Sequence, residues 1–240
     1  MVHKVDVLAV GAHPDDVEVG AGGVLAKLVQ SGVTAGIVDL TAGEMASNGT
    51  VEERRREAVE AAGCIGASWR KCLGLADRGI EINKTTVQLL VDVIREARPS
   101  LILCPFWEER HPDHVQACKL VQEAYFDAGL VKIASNFAPF RPETIWYYFL
   151  ARATEPKFIV DVTEVYEIKR SALFAHASQF GKDTERAGTF LNSGPVNMVE
   201  LVESRDRYFG ALIGCRYGEG FTLSSPLAVR NPLSLLEVKT

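Results

Sequence analysis

The 240-residue chain has no cysteine pair at C-x-x-C spacing. Its five cysteines, Cys64, Cys72, Cys104, Cys118 and Cys215, are odd in number and lie in apolar or helix-patterned runs. That speaks against a disulfide scaffold and fits reduced thiols in a cytoplasmic protein. No uninterrupted apolar run reaches membrane-spanning length. The segment Met1-Val2-His3-Lys4-Val5-Asp6 lacks the apolar core and small-residue cleavage site of an export signal. Positive charge is in deficit: 26 Lys and Arg against 31 Asp and Glu leave a net charge of −5. General affinity for nucleic acid or an anionic membrane is thereby disfavoured, although a local basic pocket is not. Repeats of solenoid period and low-complexity tracts are also missing. Histidine is scarce, with five in the chain.

Three of those five histidines fall in two short stretches, Ala12-His13-Pro14-Asp15-Asp16 and Arg110-His111-Pro112-Asp113-His114. From this composition a given His-Pro-Asp triplet is expected roughly 0.01 times by chance. An isolated copy reads as a turn and helix cap. Two copies in equivalent settings, with Asp16 and His114 added, read instead as a metal site.

Those settings follow from the hydrophobic pattern. Val5 to Val10 is a nearly continuous apolar strand, then Gly11, the first motif, and a helix over Val17 to Gln30. Gly20, Gly22 and Gly23 weaken that helix but allow close approach to the sheet or the site. Strands are expected at Thr34–Thr41, Trp69–Leu75 and Ser100–Pro105, and helices at Glu52–Ile65 and Thr85–Ala97. The second motif follows the strand ending at Pro105 and opens a helix to Ala128, with Pro112 in its first turn. Further on, Thr144–Leu150 and Lys157–Val162 suggest antiparallel additions, and Val165–Gln179 and Asn197–Gly210 suggest helices. Gly181–Pro195 reads as a mobile loop, and Leu223–Thr240 as a mixed tail. The alternation predicts one α/β domain over residues 1–240, a Rossmann-like, mostly parallel sheet flanked by helices, with added C-terminal strands and helices. Both motifs then lie at the carboxyl ends of strands, where open sheets build their sites.

A catalytic zinc site uses three protein ligands and one open position. His13, Asp16 and His114 form a two-histidine, one-carboxylate set, which also suits Fe2+. Zinc lowers the pKa of a coordinated water to about 7. Asp15 is then placed to take a proton from water and pass it to a leaving amine. His111, if protonated, is placed to stabilise an oxyanion. Asp113 orients His114 or caps its helix. His176, in a predicted helix, reads more readily as structural than as a pocket residue.

At these residues the chain resembles the PIG-L/LmbE-like family of zinc-dependent N-deacetylases. Thr41-Ala42-Gly43-Glu44, the helix start Arg54 to Glu57, and Lys169 to Gln179 with His176-Ala177-Ser178-Gln179 extend the resemblance over most of the chain. It implies a Rossmann-like core and hydrolysis of N-acetyl groups from glucosamine derivatives. It also implies His13, Asp16 and His114 as zinc ligands, Asp15 as base, His111 as electrostatic partner, and a homo-oligomer. Chain length and Gly218-Glu219-Gly220-Phe221 are similar to the bacillithiol-pathway branch, which acts on N-acetylglucosaminyl-malate. Such a substrate implies cations for its carboxylates, for which Arg54 and Arg110 are the candidates. A helix ion-pair role is the plain alternative for Arg54. Glu44 is a candidate acceptor for sugar hydroxyls, and Tyr147 and Tyr148 stay open as site neighbours. Rival readings are a deacetylase of a different N-acetylglucosamine conjugate or small amide, and a nucleotide-binding Rossmann-like module. The latter is disfavoured by Asp15 and Asp16, which stand where phosphate would sit.

Overall fold

The computed structural model describes residues 2–151, 154–181, 187–192 and 196–226. Part of the expected loop (182–186 and 193–195) and most of the tail (227–240) lie outside the described residues. A single seven-stranded sheet carries the chain in the order β3-β2-β1-β4-β5-β7-β6. The strands are β1 (Val7–Gly11), β2 (Ala35–Thr41), β3 (Trp69–Leu75), β4 (Leu101–Pro105), β5 (Thr144–Tyr148), β6 (Phe158–Asp161) and β7 (Gly218–Thr222). The helices are α1 (Asp16–Gln30), α2 (Val51–Ile65), α3 (Lys84–Ala97), α4 (Pro112–Ala128), α5 (Tyr166–Ala175), α6 (Ala177–Phe180) and α7 (Met198–Ile213).

β1 to β5 are parallel. The chain winds outward from β1 through β2 to β3, then crosses back to place β4 on the other side of β1. The β1/β4 boundary is therefore the topological switch point, and the two His-Pro-Asp loops leave the carboxyl ends of these two strands. β1 is buried along its whole length, as its continuous apolar run requires.

Two expectations are corrected. β5 pairs parallel to β4 and is no antiparallel addition. The strand that runs against the sheet is β7, which pairs antiparallel with both β5 and β6. Its Gly-Glu-Gly start lacks the β-branched and aromatic residues that mark strands, so local pattern conceals it. Residues Val165–Gln179 are likewise not one helix: the chain breaks at His176, where ψ is 56°.

The glycines of α1 act as foreseen. A methyl on Gly20 would stand 2.0 Å from the Tyr148 ring, so the helix packs closely on that side chain at the end of β5. Side chains also reach the α1 backbone. The Gly23 and Val24 amides donate to Glu219 at 2.8 and 2.7 Å. Lys169, fully buried, joins Glu219 to Asp206 at 2.6 Å each. This triad ties α5, α7 and β7 to the helix that carries Asp16.

Candidate functional site

Asp16 organises the first loop. It opens α1, and its Oδ2 accepts the Ala12 and His13 amides at 2.9 and 3.0 Å. From across the sheet, Thr41 binds the Ala12 carbonyl through both its amide and its hydroxyl, at 3.0 and 2.9 Å. The second loop is fixed by His111, the N-cap of α4, whose Nδ1 accepts the Asp113 amide at 3.2 Å.

The two loops converge. Asp16 Oδ1 lies 3.2 Å from His114 Nε2, and Asp16 Oδ2 lies 3.6 Å from His13 Nδ1. The rings of His13, His111 and His114 stand 4.8 to 5.4 Å apart, centre to centre. One donor atom from each of these three imidazoles falls within 4.8 Å of the others. The far nitrogen of His13, Nε2, faces Asp77 Oδ1 at 3.1 Å and Asp113 Oδ2 at 3.4 Å. Asp113 thus orients His13 rather than His114, and the helix cap is His111.

A divalent cation fits this set. Imidazole nitrogen and carboxylate oxygen are the ligands that zinc and ferrous iron accept. A carboxylate pair on His13 Nε2 leaves Nδ1 turned toward Asp16, the usual support for a ligating imidazole. His114 presents Nε2 to Asp16, and among the described residues its buried Nδ1 has no hydrogen-bond partner. His13, Asp77 and Asp113 form a second compact donor group that shares His13 with the first.

Electrostatics follow from burial among like and unlike charges. Burial pushes Asp15 up to about 6, opposed by Arg54 and reinforced by Asp16. Asp16 is also buried, yet His114 and His13 hold it well below the usual carboxylate range. Burial disfavours charge on His13, but Asp113, Asp16 and Asp77 together raise it to about 12. Burial and the neighbouring His13 and His114 push His111 down to about 4. That shift favours the neutral ring of His111 over the imidazolium. Because its Nδ1 accepts an amide, its proton sits on Nε2.

A cleft of about 260 Å³ is lined by His13, Asp15, Asp16, His111 and His114 among others. Arg110 lines the cleft and lies over the Phe190 ring at 4.0 Å. Arg54 lines it too, but is only 3% exposed and is bonded to protein acceptors. Glu44 does not line it; Glu44 accepts the Asp77 amide at 2.8 Å. His176 and Tyr148 are fully buried away from it, and Tyr147 borders a different surface cavity. Asp77 and Arg78 were not foreseen as site residues. They follow β3, the same carboxyl edge that carries both motifs, and that address was the available signal.

Sheet, switch point and cleft together define a Rossmann-like α/β fold with a histidine and carboxylate cluster at its switch point. A family model described as PIG-L: GlcNAc-PI de-N-acetylase matches residues 8–125. Diacetylchitobiose deacetylase of Thermococcus kodakarensis is 30% identical over 89% of this chain and 81% of its own. A probable N-acetyl-α-D-glucosaminyl L-malate deacetylase of Bacillus cereus is 28% identical over 72% of this chain and 83% of its own. The crystal structure of a conserved protein from Thermus thermophilus superposes with a TM-score of 0.85 at 34% identity, covering 95% of this chain and 98% of that one. The chain belongs to the PIG-L family and is a hydrolase of its N-deacetylase class.

Proposed function

We propose that the protein removes the N-acetyl group from an N-acetylglucosaminyl conjugate, with His13, Asp16 and His114 holding a divalent cation, zinc before iron. The observation that supports this most is the meeting of His13 and His114, from the segments that follow two separate strands, on the one carboxylate of Asp16. A cation held there supplies a Lewis acid and a water of lowered pKa. Asp15, buried beside it, accepts the proton of the water that attacks the amide carbon, then delivers it to the amine nitrogen as the C–N bond breaks. Acetate and the free glucosamine amine result. His111 donates its Nε2 proton as a hydrogen bond to the oxygen that gains charge on the amide carbon. A neutral imidazole suffices for that role.

The relatives deacetylate N-acetylated sugars by name, one of them a malate conjugate. Arg110 supports an anionic aglycone for this chain as well, as in the bacillithiol pathway. It is exposed at the cleft, and among the described residues its guanidinium forms no ion pair. Glu44, which accepts the Asp77 amide, supports Asp77 rather than contacting the sugar. Self-association and a cytoplasmic location belong to the same proposal. Tyr208, Leu212 and Ile213, exposed on α7, support the former. Among the described residues, no helix is long and apolar enough to cross a membrane.

The test is acetate release from N-acetylglucosaminyl-malate and from N,N′-diacetylchitobiose, before and after chelation. We expect release from at least one, lost on chelation and restored by zinc. Turnover of an ester with both amides untouched would overturn the assignment.

A further inference from the structure

Arg54 occupies an unfavourable place for a cation. It lies one turn into α2, near the positive end of the helix dipole, and is 3% exposed. Three acceptors meet its guanidinium. Nη1 donates to the Gly43 carbonyl at 2.8 Å, and Nη2 donates to the Pro14 carbonyl at 2.7 Å and the Asp15 carboxylate at 3.2 Å. Two of the three belong to adjacent residues in the loop after β1.

That loop has a problem to solve at Asp15. Its φ is 129° with ψ −26°, a backbone conformation that residues with a side chain seldom adopt. Such a conformation persists only where its surroundings hold it. Among the described residues, nothing but Arg54 hydrogen-bonds the Asp15 carboxylate. Gly43 completes the arrangement. Its φ is 68°, and a methyl group there would stand 1.7 Å from Arg54 Nη1. The close approach of Arg54 therefore needs a glycine at 43.

We propose that Arg54 is a positioning residue: it clamps the Pro14–Asp15 turn so that the Asp15 carboxylate faces the cleft, and it does not receive a substrate carboxylate. This rests on the reading of Asp15 as general base. It revises the expected role of Arg54, because both terminal nitrogens already donate to protein acceptors and the side chain is 3% exposed. Arg110 and Arg78 then remain cations at the cleft available to an aglycone.

The test uses Arg54→Ala, Arg54→Lys and Gly43→Ala in the metal-loaded full chain, assayed on neutral N,N′-diacetylchitobiose and on N-acetylglucosaminyl-malate. A base displaced by about 1 Å costs on the order of 10²-fold. We expect Arg54→Ala to lose about that much kcat on whichever substrate turns over, with KM within about twofold and metal content unchanged. Added methylguanidinium should restore part of the loss. Arg54→Lys should recover less than the full rate, because one ammonium lacks the fork that reaches both acceptors. Gly43→Ala should reproduce the kcat loss, and it carries the test if Arg54→Ala does not fold. A crystal structure of Arg54→Ala or Gly43→Ala should show Asp15 away from φ 129°. The clamp is overturned if Asp15 keeps its conformation in both variants, or if the variants keep kcat and raise KM for the malate conjugate alone. Should the wild-type protein release no acetate from any amide, the functional reading fails, while the conformation of Asp15 in the variants still judges the clamp.

Discussion

Asp15 and His13 sit two residues apart and respond to burial in opposite ways. Burial raises the Asp15 carboxyl to about 6, and among the described residues Arg54 alone hydrogen-bonds it. A general base works ionised, so kcat/KM should rise with pH through about 6 and fall about tenfold per unit below it. A profile flat from about pH 4 to 8 would remove Asp15 from that role. Asp15→Ala should keep its metal and lose about 10²- to 10⁴-fold in turnover. His13, by contrast, is held protonated by Asp113, Asp16 and Asp77 against the cost of burial. It must shed a proton to ligate, so metal uptake should release protons and weaken as pH falls. Removing the Asp77 charge with Asp77→Asn should weaken metal affinity about 10- to 100-fold; equilibrium dialysis against zinc at fixed pH would detect it. The histidines proposed as ligands were legible in the sequence because His-Pro-Asp repeats. Asp77 was not, because a lone Asp-Arg-Gly turn carries no chemistry until the fold sets it against His13.

At the scale of elements, strands and helices through α4 could be read from period and punctuation. Thr50 and Glu53 form a capping box before α2, and Gly66 ends it with φ 82°. What escaped lies later in the chain, where long-range polar contacts replace pattern. β7 holds its place through Glu219, which takes two α1 amides and Lys169. Breaking that buried triad with Lys169→Met leaves Asp206 and Glu219 without their shared cation and should cost about 3–5 kcal/mol of stability. Denaturant unfolding measures this, and a change below about 1 kcal/mol would show the triad to be dispensable. Gly20→Ala should destabilise by about 1–3 kcal/mol, since its methyl meets the Tyr148 ring.

For the whole molecule, function follows from the crossover that makes β1 and β4 neighbours. It brings residues 13–16 to residues 111–114 and sets the β3 loop against both. Arg110 and Phe190 stand at the cleft on segments remote in sequence from Asp15 and Asp16. Arg110→Ala should weaken N-acetylglucosaminyl-malate more than N,N′-diacetylchitobiose, and equal losses would count against carboxylate recognition. Which aglycone fits is not legible in the sequence, since it is set by side chains whose positions depend on loop geometry. Anomalous diffraction at the zinc edge, from crystals grown with zinc, addresses the centre most directly. We expect one peak about 2.0–2.2 Å from a nitrogen of His13, a nitrogen of His114 and an oxygen of Asp16. A peak held by His13, Asp77 and Asp113, out of reach of His114, would contradict it.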